Sequence, residues 1–216
     1  MKIRFAETFR DIDRQAWDGL DGASRRVEGT SYHPFISHAF LSSLEESGSA
    51  IGKAGWHGRH VLLEDESGRL QGAVPAYLKS HSQGEYVFDH AWADAFERAG
   101  GRYYPKWQCT VPFTPATGPR LLVRRGDDRA GVMTMLADAL KAETVRLGLS
   151  STHVTFLSDG EWQLLESRGF LHRTDQQFHF QNDGYASHAD FLETLASRKR
   201  KALRKERRAA LEGGIT

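Results

Sequence analysis

Short apolar runs bounded by turn residues predict strands over Lys2–Phe5, His60–Glu64 and Leu70–Leu78. The last two flank Asp65-Glu66-Ser67-Gly68 and predict a hairpin. Between the first strand and the hairpin lie a weak helix around Asp13–Leu20 and a stronger one from Pro34 to Glu46. In the stronger one Phe35, Ile36, Ala39, Phe40 and Leu44 form one apolar face, Pro34 takes the first turn and Gly48 follows the end. Glu85–His90 reads as a further strand, Ala91–Ala99 as a short helix stopped by Gly100-Gly101, and Trp107–Val111 as another strand. The segment 112–119 then carries three prolines, which deny regular pairing and impose a fixed loop.

After that loop strands and helices alternate. Arg120–Val123 is a strand, and Asp128–Leu147 a helix with Val132, Met133, Leu136, Ala139, Leu140 and Leu147 at helical spacing. His153–Leu157 is a strand, Glu161–Arg168 a helix closed by Gly169, and Phe170–Gln181 a long strand with Phe178 and Phe180 alternating against polar neighbours. This order implies an α/β fold, a mixed sheet with helices packed on it and a parallel central pair. The last helix runs from Ser187, its N-cap, to Leu211, and Gly213-Gly214 ends it where Ile215 opens a further strand. Its apolar stripe is thin for its length, which points to the N-terminal portion of a longer protein. The expected organisation is a domain over 1–185 and a basic helix with the start of a second domain over 186–216.

Composition narrows the class. In 216 residues, five Trp, six Tyr and twelve Phe supply a real core, so disorder is excluded. Mean hydropathy is −0.53 and no apolar run approaches the roughly 20 residues of a membrane span. The N-terminus lacks a signal-peptide core, and the single Cys109 forms no internal disulfide, so the expected location is the cytoplasm. The net charge of +1 hides an asymmetry. From Arg198 onward eight cations stand against Glu206 and Glu212, a net +6, which leaves −5 for the rest. Such a tail points to an anionic partner.

Two sets of residues carry a family resemblance. Leu164-Leu165-Glu166-Ser167-Arg168-Gly169-Phe170, with Phe178 and Phe180 after it, resembles the helix, Gly-Phe turn and late strand of the GNAT acyltransferase fold. The segments 33–41, 77–89, 111–120 and 191–208 resemble, in order, the FemAB-like proteins of peptidoglycan biosynthesis or recognition. The resemblance implies the first of two tandem GNAT-like domains, with the C-terminal basic helix linking it to a missing second one. It implies transfer of an acyl or aminoacyl group, from acyl-CoA or aminoacyl-tRNA, to an amine of a phosphorylated amino-sugar/peptide precursor that this domain helps hold. It also implies that Arg200, Lys201, Arg204, Lys205 and Arg208 contact the precursor's phosphates, or tRNA; as plain sequence they equally describe a solvated connector.

Transfer to an amine needs a neutral acceptor nitrogen, donors for the developing oxyanion and a cradle for the carrier's phosphates. The segment 124–131 stands where a GNAT protein carries its phosphate loop. It has one glycine where two close-set small residues are wanted, and two acids that repel phosphate, so no cofactor is expected on this domain. The aromatic group with Tyr86, Trp92 and Tyr104, together with Lys106, suits the lining of a substrate cleft. Asp89 among them is the carboxylate suited to take a proton from, or hold, an ammonium acceptor. The same group also reads as ordinary core aromatics around a paired Asp89. His57 with His60, and His33 with His38, lack the further ligands of a tetrahedral site, so no metal is expected. Cys109 lacks a partner base, and Ser37-His38 and Ser80-His81 lack a hydrolase elbow. A non-catalytic module that binds the precursor or tRNA is the alternative to the transferase.

Overall fold

Asp65 starts the best-formed hairpin of the chain: its Oδ1 accepts the backbone N–H groups of Ser67 and Arg69 at 2.9 and 3.0 Å, and Gly68 takes φ +80°. The computed structural model describes residues 1–23, 32–126 and 128–212, and the chain divides into two units, Met1–Arg173 and Thr174–Thr216.

In the first unit β1 (Lys2–Ala6) is followed by α1 (Arg14–Asp18) and α2 (His38–Glu46). Then come β2 (Trp56–Gly58), β3 (His60–Glu64), β4 (Leu70–Val74) and β5 (Ala76–Lys79), and α3 (His90–Arg98), β6 (Lys106–Cys109) and β7 (Leu122–Val123). α4 (Arg129–Arg146), β8 (Thr152–Val154) and α5 (Asp159–Ser167) complete it. The strand expected over Leu70–Leu78 is cut at Pro75, which has no N–H to give the ladder. Arg59 N bonds to Ala76 O across the break at 2.9 Å, and the hairpin continues as β2 with β5. One hairpin thereby feeds two sheets, β1-β3-β4-β7 and β2-β5-β6-β8, where a single mixed sheet was expected. The parallel pair is β6 with β8; β7, the strand before α4, pairs antiparallel with β4 instead.

The first sheet is covered on both faces, so β3 and β4 are buried at nearly every position and successive side chains enter opposite cores. Val61, Leu63, Val74 and Val123 pack with Val132, Met133, Leu136 and Leu140 of α4. Their neighbours Leu62, Ala73 and Leu122 pack on the opposite side with Phe9, Trp17, Ile36 and Leu41. Each such side chain contributes about 1.5–3 kcal/mol on burial. α4 lies so close to β4 that a Cβ at Gly72 would sit 2.8 Å from Val132 Cγ1. The Pro-rich loop is held from beneath by buried Arg120. Its guanidinium donates to the carbonyls of Ala116, Gly118, Pro119 and Thr155 at 2.7–3.1 Å.

Three further expectations are corrected. Of the strand expected over Glu85–His90, Glu85–Asp89 is a loop and His90 opens α3, because Glu85 and Asp89 turn inward to a cation rather than pairing with a strand. Phe170–Gln181 carries no strand: no neighbouring strand pairs with it, and Phe178 and Phe180 are 86% and 69% exposed. The helix expected over Ser187–Leu211 is two, α6 (His188–Glu193) and α7 (Ser197–Leu211), both in the second unit. Ser187 caps α6 as expected, its Oγ accepting from Asp190 N at 3.2 Å. The break follows because the Thr194 hydroxyl returns to Phe191 O at 2.7 Å and Ala196 is extended. The expected end at Gly213-Gly214 and strand from Ile215 lie outside the described residues. Among the described residues no helix is long and apolar enough to cross a membrane.

Candidate functional site

Beneath the loop between β5 and α3 lies a polar cluster withdrawn from water. Lys106, on β6, donates to Asp89 Oδ2 at 2.5 Å, Glu85 Oε2 at 2.7 Å and Ser82 Oγ at 2.8 Å. The Tyr103 hydroxyl donates to the same Asp89 oxygen at 2.7 Å, and Ser82 meets the Tyr104 hydroxyl at 2.7 Å. Lys106 and Asp89 are fully buried and Glu85 nearly so. Burial raises the carboxyl of Asp89, but the hydrogen bonds from Lys106, Ser82 and Tyr103 outweigh it and hold the group at about 2. Glu85 is pushed up by desolvation, against the attraction of Lys106. Beside them Lys79, also fully buried, rests 3.4 Å from the centroid of the Trp56 ring and donates to Gln83 O at 3.1 Å. Desolvation lowers its pKa to about 7, against the pull of Glu85.

The fold therefore brings Asp89, Lys106 and Tyr104 together and leaves Tyr86 and Trp92 outside, 53% and 63% exposed. The ammonium that Asp89 holds is that of Lys106. Asp89 titrates far below neutral pH and is fully buried, so in this arrangement it acts as a counter-ion. His153, at the edge of the cluster, is lowered to about 4 by desolvation and by Lys106.

A cleft of about 800 Å³ opens in the same unit, between the end of β1, the C-terminal turn of α2, β2 and the stretch Leu78–Ser80, with Tyr104 on its rim. Its polar wall includes Glu7, Arg10, Glu45, Arg59 and Lys79. Arg59 is engaged elsewhere: its Nε donates to Glu143 Oε1 at 2.8 Å. Of the predicted residues only Tyr104 reaches this cleft; Glu45 and Lys79 went unnoticed in the sequence. An acid in the last turn of a helix, and a lysine closing a strand, have no motif to mark them.

In the second unit α7 carries the predicted cations. Arg200 ion-pairs with Glu193, and Arg204 does so at 2.9 Å, while Lys201, Lys205 and Arg208 are exposed along the helix. Phe180, Tyr185 and Phe191 group their rings at 5.3–6.5 Å in the same unit.

At the segment 124–131, of which Asp127 lies outside the described residues, Asp128 Oδ1 accepts Gly131 N at 3.0 Å. One of the free N–H groups in the first turn of α4 is thus taken by the chain's own carboxylate. Among the described residues no three His, Cys, Asp or Glu side chains converge as a metal site. Cys109 is buried and its thiol pushed up by desolvation.

The FemAB-like family, described as peptidoglycan biosynthesis/recognition, matches the chain over residues 8–216. No protein of curated function matches it. A solved structure titled as that of a probable acetyltransferase is 19% identical and covers 87% of this chain and 100% of its own, with a TM-score of 0.46.

Proposed function

The chain belongs to the FemAB-like family of peptidoglycan biosynthesis or recognition, and from that membership we propose that it serves acyl or aminoacyl transfer to an amine of a peptidoglycan-precursor-like acceptor. In this reading it is the acceptor-holding part of a GNAT-like enzyme, and the donor, an acyl-CoA or aminoacyl-tRNA, is bound by a further domain. The observation that carries the reading is the extent of the family match, which runs through both units. Three features support it. The 800 Å³ cleft has the size of a small-ligand site. Lys201, Lys205 and Arg208 stand exposed at spacings of four and three on α7, so they share a face and suit phosphate. The Asp128 cap puts a negative charge where a carrier pyrophosphate would need free N–H groups, which favours a donor site elsewhere. The chemistry asked of the chain is positioning, with no covalent intermediate on it.

Calorimetry with a UDP-linked muramyl peptide, acetyl-CoA and bulk tRNA tests the reading. Binding of the muramyl peptide alone is expected, weakened about tenfold or more, and in a salt-dependent way, when Lys201, Lys205 and Arg208 are all replaced by Gln. Binding of acetyl-CoA alone would overturn it. Muramyl-peptide binding with no turnover when a donor domain is present would favour the non-catalytic recognition module instead.

A further inference from the structure

Glu45 is a half-buried carboxylate with three neutral donors and no cation. Its Oε2 accepts the Thr8 hydroxyl at 2.7 Å and Phe9 N at 2.9 Å, and its Oε1 takes His60 Nε2 at 3.3 Å. The His60 proton sits on Nε2, because Nδ1 accepts Ala76 N–H at 3.2 Å. His60 is fully buried, and desolvation lowers its pKa, so it faces Glu45 as a neutral donor. Burial raises the Glu45 carboxyl, but the bonds from His60, Thr8 and Phe9 outweigh it and keep the group ionised.

Three of the four lone-pair positions of Glu45 are therefore filled, and one on Oε1 is free. No lysine or arginine lies within ion-pair distance of it among the described residues. Glu45 forms part of the wall of the 800 Å³ cleft, with its side chain 13% exposed. A negative charge taken out of water and left without a counter-ion is costly, and a cationic ligand removes that cost. The cation is monovalent with N–H donors rather than a metal, since among the described residues no three His, Cys, Asp or Glu side chains converge there as a ligand set.

We propose that Glu45, oriented by His60 and Thr8, is the binding site for a primary ammonium group entering this cleft. This deepens the reading above, on which it rests for the identity of the ligand: the acceptor amine docks at Glu45 and not at Asp89, whose ammonium is built in. Glu45 anchors and orients the charged amine before transfer; its carboxyl is held below the ordinary range, so it serves as a counter-ion rather than as the base.

The probe is Nα-acetyl-lysine methylamide, which carries one ammonium and no anion, compared with its Nε-acetylated form. The readout is the His60 ring nitrogen resonances by NMR, which report the bond to Glu45. The amine is expected to shift the His60 Nε2 signal saturably, and the acetylated form to leave it unmoved. Glu45→Gln is expected to weaken binding at least tenfold, and Glu7→Gln, on the exposed side of the cleft, less than twofold. Equal shifts from both probes, or unchanged affinity in Glu45→Gln, would overturn the site. Should Glu45→Gln fail to fold, the two probes on the wild-type chain decide alone. No donor or turnover enters this test. Loss of the site therefore leaves the transfer reading standing, and loss of that reading leaves an ammonium site in place.

Discussion

Lys79 and Lys106 are both withdrawn from solvent, but only Lys106 touches carboxylates. Lys79 titrates at about 7 in the folded chain against an ordinary 10.5. Between those values the unfolded chain binds one proton more than the folded one, so stability rises with pH across that window; below pH 7 the cost of the buried charge is fully present. Urea unfolding of the wild type is expected to gain about 2 kcal/mol from pH 7 to pH 9, and Lys79→Met to lose that slope. Equal slopes would place the titration elsewhere. Asp89→Asn leaves Lys106 with only Glu85 and should destabilise by about 3–5 kcal/mol; adding Lys106→Met should restore part of it. Additive losses in that double-mutant cycle would show that the two groups do not act as a pair. In the sequence Asp89 already read as either an amine holder or a paired core acid. Lys79 and Glu85 gave no such hint, because a charged residue at a strand end or in a loop reads as solvated until a fold closes over it.

Among the elements, those with local reasons to form were legible. The hairpin turn is made by Asp65 and Gly68, α4 forms on its apolar spacing, and α6 begins at the Ser187 cap. The elements misread are those whose state depends on a partner. Phe178 and Phe180 alternate as a strand would, but a strand without a pairing edge is not a strand. Pro75 was visible, yet its effect, one hairpin shared between two sheets, needed the second sheet to exist. The close approach of α4 to β4 was also hidden. Gly72→Ala presses on Val132 and Leu136 and should cost about 1–3 kcal/mol in thermal or urea unfolding. A neutral outcome would mean that α4 slides freely on the sheet.

For the molecule as a whole, the two units meet in sequence at 173/174, within a stretch free of regular structure from Phe170 to Ser187. Leu171, Phe178 and Phe180 lie in that stretch, 94%, 86% and 69% exposed. Brief chymotrypsin treatment is expected to cut there first, and the N-terminal fragment to keep a cooperative thermal transition. First cuts inside β3–β4, or a fragment with no transition, would contradict that division.

The sequence by itself determined the family, the mixed α/β class, the Asp65–Gly68 turn, the Ser187 cap and the basic character of α7. Each rests on neighbours within a few residues or on residue order along the chain, and neither needs a third dimension. Only the tertiary structure decided that Asp89 answers to Lys106, that Lys79 lies over Trp56, and that Glu45 faces the cleft with no lysine or arginine paired to it among the described residues. Charge pairing and desolvation act over a few ångströms between residues 15 or more apart in the chain, such as Glu45 and His60, and no local pattern records them.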